Sequence, residues 1–157
     1  MVERHKHPDT DEEARELAEE DKREGKAPST QAGEFVREEM HHIREGKHGA
    51  RSTKQAIAIG LSKARRAGVE LPPPEEGTTS EETRQAARRD EARGKTGGRR
   101  KTSPKRSRAT KKALRREGRS AASPKALARQ ASSAARRRGP AARSRAAKKA
   151  ARTRKRK

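Results

Sequence analysis

The chain has 157 residues, of which 42% are charged and 26% are hydrophobic, and Phe35 is its one aromatic residue. So little apolar surface does not offset the entropy lost on ordering, which excludes a sizeable core and predicts an all-α, largely disordered protein. The absence of cysteine excludes disulfides and thiolate zinc sites and fits a reducing compartment. The longest apolar run, residues 56–61, is far too short to cross a bilayer, and the acidic residues 1–30 are unlike a signal peptide.

Charge is distributed unevenly along the chain. Residues 1–50 carry 9 Lys and Arg against 14 Asp and Glu, residues 51–98 carry 10 against 7, and residues 99–157 carry 25 against 1. The last segment therefore has a net charge of +24, within a total of +22 for the chain. Such asymmetry predicts a basic segment that binds a polyanion, attached to a neutral or acidic body.

The first predicted element is an acidic helix over residues 9–24. Thr10 and Glu13 form the pattern of a capping box, and Gly25 follows the last helical residue. We expect this helix to be marginally stable, because its apolar side is limited to Ala14, Leu17 and Ala18. Residues 1–33 are thus interpreted as an acidic helix and a linker, which either solubilise the protein or compete with nucleic acid for the basic segment.

Residues 34–71 carry the pattern of a small helical hairpin that serves as an interaction or self-association module. A first helix spans residues 34–45. A second begins after Ser52, which forms a capping box with Gln55, and stops at Gly68. Small residues on the second helix would allow the first to approach closely. The expected packing residues are Phe35, Val36, Met40, Ile43, Ile57 and Leu61.

Residues 72–98 are predicted to form a proline-rich spacer followed by one polar helix. That helix runs from about Glu81 to Arg93, with Thr79 and Glu82 at its start. Since it lacks an apolar stripe, we do not expect it to pack strongly.

Residues 99–157 contain two similar stretches, "SPKRSRATKKALRREG" from Ser103 and "SPKALARQASSAARRRG" from Ser123, and then a basic run from Ala141 to Arg154. In both stretches serine can cap a helix, proline fits its first position and glycine follows its end, which predicts three short helices in this run. Like charges repel along such helices. We therefore expect them to form only when a polyanion supplies the opposite charge.

The spacing of the basic residues places most of them on one side of each predicted helix. A 14-residue helix is about 21 Å long, a span over which duplex DNA presents on the order of 12 phosphates. Duplex DNA is favoured over RNA because the segment has no aromatic ring on which unpaired bases could stack. The residues predicted to contact phosphates are Lys105, Arg106, Arg108, Lys111, Lys112, Arg115, Arg116, Lys125, Arg129, Arg136, Arg145, Lys148, Lys149 and Arg152.

Catalysis, cofactors, metal ions and membranes are not expected. No phosphate-cradling glycine loop and no nucleophile with an identifiable base is present. His41, His42 and His48 could be imagined as a metal cluster with Glu38 or Glu45, but adjacent histidines point about 100° apart on a helix and no closed ligand set is apparent. They are interpreted as surface residues. The apolar faces of the basic helices are mostly alanine, which argues against insertion into lipid.

Two stretches resemble known families. "SPKR" at 103–106 and "AARSRAAKKAARTRKRK" at 141–157 resemble the tails of linker histones and of bacterial linker-histone-like nucleoid proteins, which implies sequence-tolerant DNA binding and compaction. "STKQAIAIGLSKARRAG" at 52–68 is similar to a family of short, basic, uncharacterised bacterial proteins with a Lys-Gln-Ala-Ile-Ala-Ile-x-Leu-Ser-x-Ala-Arg segment. That similarity implies a bacterial origin and no established activity.

The sequence thus predicts a non-enzymatic, cytoplasmic, nucleoid-associated protein that binds and compacts duplex DNA without sequence specificity. Two alternatives remain open at this point. The chain could be an adaptor whose specific function lies in a protein partner of the central hairpin, or a basic protein associated with RNA or ribosomes.

Overall fold

The computed structural model describes residues 8–97 and 103–155, which are predominantly α-helical. The helices of these two ranges are α1 (Asp11–Arg23), α2 (Pro28–Glu45), α3 (Thr53–Arg66), α4 (Glu81–Thr96), α5 (Pro104–Arg116), α6 (Pro124–Arg137) and α7 (Gly139–Lys155), with a 3₁₀ turn at Ser120–Ala122. The chain is all-α, but the prediction that it is largely disordered is wrong. The predicted boundary between spacer and basic segment, at residues 98 and 99, lies outside the described residues, as do both ends of the chain.

The helices fall into two compact units. The first ends at Ala122 and contains α1 to α5 with the 3₁₀ turn, and the second begins at Ser123 and contains α6 and α7. None of the described helices is long and apolar enough to cross a membrane.

Small side chains build most of the core of the first unit, where α1 packs on α2 and α2 packs on α3. Phe35 is 2% exposed at the centre of this core. Because alanine occupies little space, the helices approach closely. A well-packed core can therefore form with less apolar area than a core of large side chains contains. This is why composition alone underestimated the order of the chain. The buried residues of this core are Ala14, Ala18, Ala32, Phe35, Ala64 and Val69.

The hairpin of α2 and α3 is closest at Gly60. A Cβ atom added there would lie 2.7 Å from the Cα atom of Val36, a separation that side-chain atoms do not tolerate. Among the residues expected to pack in the hairpin, Phe35, Met40 and Ile43 are buried, and Val36, Ile57 and Leu61 are half-buried.

Several helix ends form as their local sequences predict. The Oγ1 atom of Thr10 accepts a hydrogen bond of 3.2 Å from Glu13 N at the start of α1, and Ser52 Oγ accepts one of 3.2 Å from Gln55 N at the start of α3. Gly68, at φ +95°, ends α3 in the left-handed region. The next residue, Val69, then donates its N–H to Ala64 O at 3.1 Å and folds back into the core.

Two helices extend beyond their predicted bounds. The expected linker before residue 34 is wrong from residue 28 onward, because α2 begins at Pro28, whose fixed φ suits the first helical turn. Helix α4 is capped by Ser80 in place of Thr79, with Ser80 Oγ accepting from Thr83 N at 3.3 Å, and it continues to Thr96.

Helix α4 packs on α3, contrary to the expectation that it would pack weakly. Ala87 is buried, and Ser62 of α3 donates its hydroxyl hydrogen to Asp90 of α4. Gly94 lies against the carbonyl group of Arg65 so closely that any side chain would overlap it. Small residues and a side-chain hydrogen bond therefore replace the apolar stripe that this helix lacks.

The basic helices are also formed in the chain by itself. We expected them to order only on a polyanion, and this expectation is corrected together with the prediction of disorder. Proline lies in the first turn of α5 and α6, and Ser123 Oγ accepts a hydrogen bond of 3.2 Å from Ala126 N. These start signals and the many alanines of α6 and α7 favour the helix despite the repulsion between like charges.

Candidate nucleic-acid interface

The Lys and Arg side chains of residues 103–155 are all exposed, including the fourteen that the sequence singled out. The ion pairs of the described residues all lie between Asp9 and Lys95. In the described part of the chain, eight of the Lys and Arg side chains of residues 8–97 thus pair with carboxylates, whereas none of those on the three basic helices does.

Helix α5 presents one basic face. Successive helical residues are about 100° apart, so six of the basic side chains of α5 fall within an arc of about 140°. Leu114, on the opposite side of the helix, is half-buried. Arg106 is exposed but lies outside this arc. The members of the α5 basic face are Lys105, Arg108, Lys111, Lys112, Arg115 and Arg116.

The carboxyl end of α5 is anchored to the loop between α2 and α3. Gly49 N donates to Leu114 O at 2.9 Å, and Ala50 N donates to Gly118 O at 3.1 Å. Gly49 is required here, because a Cβ atom at this position would overlap the carbonyl group of Glu117. The first unit therefore holds α5 by its end and leaves its basic face exposed.

The 3₁₀ turn completes this anchor. Thr53 Oγ1 donates to Ala121 O at 2.7 Å in a buried setting, and Arg44 Nε donates to Ala122 O at 2.9 Å. Ala121 and Ala122 are themselves buried. Sequence reasoning missed this contact, for which "SAA" at 120–122 was the only signal: a short, uncharged stretch between two basic helices.

The second unit carries its own basic surface. On α6, Lys125, Arg129 and Arg136 lie on one side and are exposed, while Leu127 and Ala134 on the other side are half-buried. Helix α6 packs on α7. On α7 the residues at spacings of three, four and seven form a second exposed row: Arg145, Lys148, Lys149 and Arg152.

A buried charge cluster, which the sequence did not reveal, lies between α1, α2 and α3. Glu38 and Glu39 of α2 are fully buried. The Nζ atom of Lys63 lies 3.2 Å from Glu38 Oε2, 3.2 Å from Glu39 Oε2 and 2.9 Å from Asp11 Oδ1. One ammonium group thus joins three helices through three carboxylates. Glutamates do not contribute to the apolar face of a helix, so hydrophobic periodicity predicts that Glu38 and Glu39 lie on the surface.

The cluster perturbs the pKa values of its members. Burial raises the pKa of Glu38, and although Lys63 opposes this, the negative charge of Asp11 adds to it and the value reaches about 7. Burial lowers the pKa of Lys63, but its hydrogen bond to Asp11 and the charges of Glu39 and Glu38 outweigh this and raise it to about 12. Lys63 therefore remains an ammonium ion throughout the physiological range.

The histidines belong to two different clusters, because the side chains of His41 and His42 point in different directions from α2. His41 Nδ1 lies 2.9 Å from Asp9 Oδ1, and His41 Nε2 lies 3.3 Å from Glu45 Oε1 near the surface. His42 points to the buried glutamates, with Nδ1 3.5 Å from Glu38 Oε1. His48 lies in the following loop, with its Nε2 atom 3.4 Å from Glu39 Oε1. Both His42 and His48 are half-buried, contrary to their interpretation as surface residues.

Residues 27–75 match the model of a family of unknown function (DUF6496). The matched range covers α2, α3 and residues 67–75, the strap that follows α3, and it includes Glu38, Glu39 and Lys63. The expected relation to an uncharacterised family is supported at this level, while the resemblance of the basic segment to linker-histone-like tails stays an expectation. No curated protein and no solved structure matches the chain.

Proposed function

We propose that this protein binds duplex DNA without sequence specificity through the basic faces of α5, α6 and α7. The observation that carries the proposal is the contrast in pairing. Every Lys and Arg side chain of residues 103–155 is exposed and has no carboxylate partner among the described residues, whereas eight Lys and Arg side chains of residues 8–97 are paired with carboxylates. Such cations gain most from phosphates, because each contact releases a counterion condensed on the duplex.

The geometry of α5 fits a phosphate backbone. Its 13 residues form a rod about 20 Å long, over which duplex DNA presents on the order of 12 phosphates. Its exposed face consists of long cationic side chains, and the segment has no aromatic residue that could stack on unpaired bases. This composition favours contacts to the backbone of a duplex over the reading of single strands or base edges.

Preformed helices lower the cost of this binding. A chain that orders only on its target loses part of the interaction free energy to ordering. Here Gly49 and Ala50 already hold the end of α5, so the cations on its face are positioned before DNA arrives. The basic helices, which are already folded without a polyanion, should therefore bind DNA more tightly than a disordered segment of the same charge.

We further propose that the protein compacts DNA in the bacterial nucleoid. Each of the two units carries its own basic helical surface. Two DNA-binding surfaces in one chain can contact two segments of duplex, and the second contact benefits from a high effective concentration. Such bridging is sufficient for compaction without a recognised sequence.

The test is binding of the full chain to a duplex of random sequence, measured by fluorescence anisotropy over a salt series. If roughly 8 to 10 phosphates are neutralised, log affinity falls against log salt with a slope of about −7 to −9. Two variants carry six Gln substitutions each. One replaces the α5 basic face. The matched control replaces exposed cations of the body: Arg15, Lys22, Arg23, Lys54, Arg88 and Arg89.

We expect the α5 variant to lose affinity and several units of salt slope, and the control to change much less. Equal losses in both variants would show that net charge, and not this surface, determines binding. Tighter binding to a structured RNA of equal length would favour the RNA alternative. Absence of binding to either nucleic acid would favour the adaptor.

A further inference from the structure

Glu39, His42 and His48 converge where α2 meets the loop that follows it. One potential ligand atom from each lies within 4.8 Å of the other two. Glu39 is fully buried, and the side chains of His42 and His48 are 16% and 19% exposed. The two rings stand edge to face with centroids 6.1 Å apart. The cluster is therefore largely closed to solvent.

Backbone carbonyl groups orient both imidazole rings. His48 Nδ1 lies 3.1 Å from Gly49 O, and His42 Nε2 lies 2.9 Å from Asp9 O. A carbonyl oxygen only accepts, so these nitrogens donate, and in a neutral ring the other nitrogen carries a lone pair. That nitrogen faces a buried carboxylate in each case, which is Glu38 for His42 and Glu39 for His48. Histidines that bind metal ions are commonly held in this way by a carbonyl at the far nitrogen.

Glu39 is the second observation that points to a cation. Both of its carboxylate oxygens are buried, and neither accepts a hydrogen bond. Lys63 approaches Oε2 at 3.2 Å, but it is shared with Glu38 and Asp11, so one ammonium faces three carboxylates. Oε1 faces the Nε2 atom of His48 instead, at 3.4 Å. A cation between these two atoms would satisfy both.

We propose that Glu39, His42 and His48 bind a divalent transition-metal ion, for which zinc is the best fit. Two imidazole nitrogens and one carboxylate are a ligand set suited to zinc and ill suited to magnesium or calcium, which prefer oxygen. Ligand atoms around tetrahedral zinc lie about 3.3 Å apart, close to the 3.4 Å between His48 Nε2 and Glu39 Oε1. The three side chains leave the fourth position of a tetrahedral zinc ion for a water molecule.

The position of this site gives it a structural role. His48 precedes Gly49, whose N–H anchors α5 through the carbonyl group of Leu114. A metal ion that joins His48 to α2 stiffens the loop that holds the basic helix. Metal binding therefore stabilises the first unit and does not depend on the proposal that the helix binds DNA.

The test is titration of the chelator-treated full chain with zinc chloride, followed by calorimetry and by thermal unfolding. We expect one tight site per chain and a raised Tm. Glu39→Gln and His48→Ala should each weaken binding at least tenfold. His41→Ala is the matched control, because His41 belongs to the separate, more exposed group with Asp9 and Glu45. A variant in which His5 and His7 are alanine should retain the tight site.

Circular dichroism without zinc identifies variants that fail to fold. If His48→Ala fails to fold, His48→Asn replaces it as a milder change at the same position. Saturable binding that is lost in the Glu39 and His48 variants and kept in His41→Ala supports the site. Absence of saturable binding, or equal affinity in all variants, overturns it. Loss of the site in His41→Ala alone also overturns it, since the ion would then lie with Asp9 and Glu45.

Discussion

Lys63 of α3 lies within 3.2 Å of Glu39 Oε2 of α2, inside a cluster in which Glu39 and Glu38 are both removed from solvent. The fold buries two adjacent carboxylates to place one ammonium group between three helices. Carboxylates in a low-dielectric interior are stable in the ionised form only while a cationic partner is present. This relationship favours helix arrangements in which Lys63 stays beside the two glutamates.

The first prediction concerns the loss of that ammonium group. Lys63→Met leaves Glu38 and Glu39 buried without a cation and should lower the free energy of unfolding by about 3–5 kcal/mol. Urea denaturation in the presence of a chelator measures the change. Lys54→Met, an exposed position on the same helix, is the control and should shift stability by less than about 0.5 kcal/mol. A change below about 1 kcal/mol in Lys63→Met would contradict the role of the cluster.

The second prediction concerns the contact between α2 and α3 at Gly60. Gly60→Ala places a methyl group 2.7 Å from the Cα atom of Val36, so the helices must separate and stability should fall by about 2 kcal/mol or more. Gly33→Ala on α2 meets no atom within 4 Å and should instead stabilise the helix by roughly 0.5–1 kcal/mol. Thermal unfolding of the two variants should therefore shift in opposite directions, and equal shifts would contradict the close approach.

The third prediction concerns the anchor of α5. Gly49→Ala forces the loop away from Glu117, so the hydrogen bonds from Gly49 and Ala50 to the end of α5 should be lost. Hydrogen exchange should show at least tenfold faster exchange of the Ala50 amide, with a smaller change in the centre of α3. Gly118→Ala is the matched control, because its Cβ atom would meet only Ser120 Oγ at 4.0 Å. Unchanged protection in Gly49→Ala would show that the anchor is not formed in solution.

The helix ends and the hairpin follow from local sequence. Thr10, Ser52 and Gly68 act through residues three to five positions away, so their roles can be derived without knowledge of the fold. The exposure of the basic residues follows in the same way, because charge density alone keeps them in water.

The order of the chain could not be derived from composition. Ala14, Ala32 and Ala64 meet from three different helices, and a short methyl side chain gives no signal of the partner it will contact. Burial of Glu38 and Glu39 depends on Lys63, which lies 25 residues from Glu38 in sequence and is one of many lysines. The candidate metal site has the same origin. His48 lies beside Glu39 only because the loop turns back at Gly46, which has φ +80°. A sequence pattern does not give the distance between two side chains that such a turn brings together.

The last prediction concerns Arg65, which is buried at the end of α3. Its Nε and Nη2 atoms donate to the carbonyl oxygens of Leu71 and Pro72 at 3.1 and 3.0 Å, and so fasten the strap that follows α3. Lysine keeps the charge but cannot form this planar pair of hydrogen bonds, so Arg65→Lys should lower the free energy of unfolding by about 1–3 kcal/mol. Arg66→Lys, at the neighbouring exposed position, is the control and should have little effect. Thermal unfolding compares the two, and equal stability would mean that the strap is held by Val69 and Leu71 packing on the core rather than by the guanidinium group.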